Sequence, residues 1–167
     1  MDAVVGENGA FSFFQVDEGG HTVRRRTDTP SAPALSAVER GEKMMQLRQS
    51  ILHRFPHALW ASDQAYREYD LAVDICEDVV PWPAEDVRDL LALCNELGAH
   101  AKVSSIHVNI WFGDHDKKKG FDHLVAARVL ENIASSRGGE GKLALPTQKS
   151  EWIFAGDSPN EDRKSVV

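Results

Sequence analysis

The chain has 167 residues, 42% of them hydrophobic, and a formal net charge of −7, which is apolar content enough for one packed domain or one and a fraction. The acidic balance argues against a nucleic-acid partner, because phosphate backbones are bound by clustered Lys and Arg, and the two short basic runs, Arg24-Arg25-Arg26 and Lys117-Lys118-Lys119, do not outweigh it. No stretch approaches the ~18 apolar residues of a membrane span, no secretory pattern opens the sequence, and Cys76 and Cys94 lack metal or redox spacing, so a reduced cytoplasmic protein without a membrane partner is expected, its oligomeric state open.

Val4-Val5 followed by Glu7-Asn8-Gly9 reads as a strand ending in a sharp turn. Phe11 to Val16 and His21 to Arg26 are strand-like runs around Asp17-Glu18-Gly19-Gly20, the pattern of a hairpin, and Thr27 to Pro33 is a loop. The Ser-x-x-Glu form of Ser36-Ala37-Val38-Glu39 starts a helix that ends before Pro56, with Met44, Leu47, Ile51 and Phe55 on its core face. Leu71 to Ile75 alternates as a strand does, and the charges between Arg67 and Asp74 are read as facing water in preference to a substrate cleft. A second helix runs from Pro83 to Gly98, with an inward stripe of Val87, Leu90, Leu91, Cys94 and Leu97.

Val103 to Phe112 reads as one long strand with Ile106, Val108, Ile110 and Phe112 on one face and Ser105, His107, Asn109 and Trp111 on the other. The polar face fits sugar recognition and, equally, a partly wet sheet with a satisfied His. A helix over Phe121 to Ser135 follows, with Leu124, Val125, Val129, Leu130 and Ile133 inward, and then a Gly-rich loop from Arg137 to Gly141. His107, His115 and His123, with Asp114 and Asp116, invite a zinc reading; surface histidines are preferred because no short ligand spacing is present. Trp152 to Phe154 reads as a buried strand opening into Gly156-Asp157-Ser158-Pro159-Asn160-Glu161-Asp162. Asp157 with Glu161 or Asp162 supplies hard oxygen donors suited to Mg²⁺, although the same residue types also build ordinary turns.

This last stretch resembles the fourth motif of the haloacid dehalogenase (HAD) superfamily of phosphohydrolases, in the Gly-Asp-Ser-Pro-Asn-Asp form of the type IIB, Cof or sugar-phosphatase-like members. Asp2 to Ala10 resembles the strand and Glu-Asn-Gly-Ala turn that lead into their inserted cap, and Ser104 to Lys117 resembles the return from cap to core. The resemblance implies an α/β fold: part of a Rossmann-like HAD core sheet with a large inserted α+β cap. Residues 1–10 would be the core strand and linker, 11–112 the cap, and 113–167 the C-terminal part of the core. It implies a Mg²⁺-dependent phosphate-monoester hydrolase acting through an aspartyl-phosphate on a small phosphorylated metabolite, a sugar phosphate foremost.

By the same resemblance, Lys117 is the catalytic Lys, with Lys119 as the fallback. Asp157 with Glu161 or Asp162 holds the metal, and Asn8, Ser105, His107, Asn109, Lys119 and Asn160 are candidates for substrate contact. No Asp-x-Asp-x-Thr occurs in the sequence. The nucleophile is therefore expected to precede Met1, and the chain is expected to be a fragment or truncated product, inactive alone. The competing expectation is a cap-like binding or interaction module without chemistry.

Overall fold

The computed structural model describes residues 3–136. In chain order their elements are β1 (Ala3–Gly6), β2 (Phe11–Glu18), β3 (His21–Asp28), α1 (Ala37–Arg54), β4 (Leu59–Trp60), β5 (Asp70–Asp74), α2 (Ala84–Glu96), β6 (His100–Val103), β7 (His107–Trp111) and α3 (Lys117–Ser136). Two compact units emerge, residues 3–30 with 115–136, and Ser31–Asp114. Among the described residues no helix is long and apolar enough to cross a membrane.

In the first unit β1, β2 and β3 form an antiparallel sheet in that order, with Val5 opposite Ser12 and Ser12 opposite Thr27. Strand alternation puts these three residues on one face, and α3 packs there: Thr27 Oγ1 lies 2.8 Å from His123 Nε2. Phe14 and Leu124 are buried in this unit. The opposite sheet face carries Phe11 and Phe13, with the Arg26 guanidinium 4.6 Å from the Phe11 ring centroid.

The second unit puts α1 and α2 on one face of an antiparallel sheet ordered β4-β5-β7-β6. The expected Ser36 cap is present. Ser36 Oγ accepts from the Glu39 N–H at 3.2 Å, and Glu39 Oε2 accepts from the Ser36 N–H at 2.9 Å. Leu47, Ile51 and Phe55 of the α1 region meet Leu71, Val73, Val108 and Ile110 of the sheet and Leu90 and Cys94 of α2 in one core, with Met44 at its margin. Burial pushes the Cys94 thiol up to about 12, so it packs as a small apolar group. Where the chain enters and leaves this unit, Asp114 Oδ1 accepts from the Ala32 N–H at 2.6 Å and from Ser31 Oγ at 3.3 Å, tying its two ends.

Helices and sheets are mixed as expected, but every strand pair among the described residues is antiparallel. The expected parallel neighbour of Val4-Val5, Ile153-Phe154, lies outside the described residues, as does the loop from Arg137 to Gly141. The turn after β1 is too short for anything but an antiparallel return into β2. That ladder groups residues 11–28 with the first unit, whereas they were expected to fall with 29–112; residues 113 and 114 group with the second.

The single strand expected from Val103 to Phe112 is a hairpin. Ser104 Oγ accepts from the His107 N–H and donates to the His107 carbonyl, both at 3.0 Å, folding the chain over Ser105-Ile106. α3 begins four residues before Phe121, where Asp116 caps it, and Leu97 is exposed at the C-cap of α2 instead of facing inward.

Ser36→Ala removes one half of a reciprocal cap and should cost about 1 kcal/mol in urea unfolding, with Ser36→Thr retaining most of it. Equal losses in the two variants would mean that the cap contributes nothing.

Candidate functional site

The first unit brings together two stretches that are distant in sequence. After β1 the chain turns through Glu7, Asn8 and Gly9 at φ of 40°, 54° and 95°. Gly adopts left-handed backbone freely and Asn tolerates it, so Glu7 is the residue held there by its surroundings. The hold is a close packing of backbone on backbone: a Cβ on Gly9 would run into the Asp116 carbonyl, and one on Gly120 would lie 2.7 Å from both the Cα and the carbonyl oxygen of Gly9.

The Asn8 turn thus sits on the first turn of α3. Asp116 organises that helix start, its Oδ1 accepting from the Lys119 N–H at 2.7 Å and its carbonyl from the Gly120 N–H at 2.9 Å. Lys117 is half-buried there, whereas Lys118 and Lys119 are exposed. Lys118 Nζ pairs with Asp122 at 2.6 Å, and this hydrogen bond raises its pKa. Two of the expected site residues, Asn8 and Lys117, therefore belong to segments in direct contact. A helix N-terminus favours negative charge, and here the Asp116 carboxylate supplies it, accepting the Lys119 N–H.

The second unit holds the other described candidates, on the sheet face opposite its apolar core. Asp70, Asp74, His107, Asn109 and Trp111 share this face by strand alternation and register. Asp70 and Asp74 do not face water, as the sequence reading had it; both are buried. Arg67 is the reason for the first. Its guanidinium is bidentate on Asp63 at 2.8 and 2.9 Å, and donates to Asp70 at 2.9 Å and to Asn109 Oδ1 at 3.2 Å.

Burial opposes the Arg67 charge, but these carboxylates outweigh it and its pKa is raised, while the same hydrogen bond lowers that of Asp63. Asp74 is satisfied by the chain itself, accepting the N–H groups of Cys76, Glu77 and Asp78 at 3.0, 2.7 and 2.9 Å. Burial works against its ionised form; the three N–H groups prevail and its pKa falls below 3.8.

His107 and Asn109 share a face as expected, but their polar groups are engaged, His107 Nε2 lying 2.9 Å from Glu77 Oε2. Ser105 leaves this set, because the β6–β7 turn exposes it outside the strand. The surface reading of the histidines also needs correction: His107 and His115 are buried. His107 belongs to the second unit, and His115 and His123 to the first. Among the described residues the metal-capable group is Asp74, Glu77 and Asp78, whose buried member is already committed to backbone N–H groups. Asp157, Asn160, Glu161 and Asp162 lie outside the described residues.

No protein-family model matches the chain. No curated protein matches it either. Sequence reasoning missed the Arg67 network, whose one local trace is the four-residue spacing of Asp63 and Arg67, and the meeting of Gly9 with Gly120, which has no local trace.

Gly9→Ala and Gly120→Ala should each destabilise by several kcal/mol in chemical unfolding, since backbone cannot yield as a side chain tip can. Gly41→Ala in α1, where a Cβ meets nothing within 4 Å, should instead gain about 0.5–1 kcal/mol. Similar effects at all three positions would refute the close packing.

Because the folded pKa of Asp74 is lowered, its contribution to stability is complete above the ordinary aspartate value and fades as pH falls through the folded one. Asp74→Asn should therefore be less stable than wild type at pH 6, and the gap should narrow below about pH 4. A gap independent of pH would rule this out.

Proposed function

We propose that the chain carries the phosphate-holding part of a Mg²⁺-dependent phosphate-monoester hydrolase of the HAD type, acting on a small phosphorylated metabolite such as a sugar phosphate. One observation carries this reading: the Glu7-Asn8-Gly9 turn is packed backbone to backbone on the α3 start that bears Lys117. It matches the resemblance of both segments to that family, although nothing in their local sequence demands that they meet.

In this reading the Lys117 ammonium offsets charge on the phosphoryl oxygens, the N-terminus of α3 adds its partial positive charge, and Asn8 offers an amide for hydrogen bonding. Asp157 with Glu161 or Asp162 would hold Mg²⁺, their oxygen donors suiting that ion, and the metal would supply further charge neutralisation. Of the two lysines considered, half-buried Lys117 is preferred over exposed Lys119. The rival reading is a binding module without chemistry; on the polar face of the second unit, where it would act, Arg67, Asp74 and His107 are engaged within the chain.

Titrating the chain with inorganic phosphate and following backbone amide resonances should shift Asn8, Gly9, Lys117 and Lys118, and Lys117→Met should weaken binding about tenfold, the ~1.4 kcal/mol of one charge-assisted contact. A titration in which Lys119→Met has this effect and Lys117→Met has none would transfer the role to Lys119. Absence of any shift near α3 would sink the reading.

With Mg²⁺ and an aryl phosphate, this polypeptide should show no turnover above background, since no Asp-x-Asp-x-Thr is present and charge neutralisation does not replace a nucleophile. Turnover lost in Asp157→Ala would overturn the assumed covalent mechanism.

A further inference from the structure

We draw no further inference here: the strongest candidate, the outer face of the three-stranded sheet, where the Arg26 guanidinium lies over the Phe11 and Phe13 rings, carries nothing because nothing in the structure shows what covers it.

Discussion

The approach of Gly9 to Gly120 is the constraint on which the first unit depends. Two backbones can come this close only where neither residue has a Cβ, so the pair fixes where α3 begins relative to the turn after β1. Everything nearby follows from that contact. Asp116, next to it, caps the helix with both its side chain and its carbonyl. The turn, held left-handed at Glu7, which ordinarily avoids that backbone, feeds directly into β2. Strain of this kind persists only where packing over-determines the backbone.

The second unit solves a different problem, a sheet with carboxylates on a face that is largely withdrawn from water. A buried charge is tolerable when donors face it, and the two aspartates obtain them by different means. Asp70 is served by Arg67, whose planar fork spans Asp63, Asp70 and Asn109. Asp74 is served by consecutive backbone N–H groups of the loop it precedes. Gln64 extends the economy: its amide donates to the Asp70 carbonyl at 3.0 Å and accepts the Ala72 N–H at 2.7 Å, standing in for a missing strand peptide. These groups hold the two central strands and the segments that flank them.

What could be read from the sequence follows the range of the interactions concerned. The Ser36 cap, the β2–β3 hairpin and the Leu47-Ile51-Phe55 face of α1 are set by residues within a few positions of one another, and all three are present. The β6–β7 hairpin was missed although the apolar alternation changes phase at its turn, from Ala101 and Val103 to Ile106, Val108 and Ile110; the deciding group is a single hydroxyl, Ser104 Oγ. Burial of Asp70 depends on an arginine outside its strand, and periodicity assigns a charged residue to water by default. In the candidate site, Asn8 and Lys117 were singled out by residue type, but the contact of their segments rests on Gly9 and Gly120, whose spacing in sequence has no meaning until the chain is folded.

The electrostatics of the α3 start bear on which lysine matters. Three consecutive cations at a helix N-terminus oppose the helix dipole. Part of this is relieved locally, because the Asp116 carboxylate sits at the cap and Lys118 pairs with Asp122 one turn on. Exposed Lys119 is screened by water, so its placement costs little. Lys117 differs from its two neighbours in being half-buried. In the proposed reading a bound phosphate would add a further counter-charge at this helix start, in the turn against which Gly9 is packed.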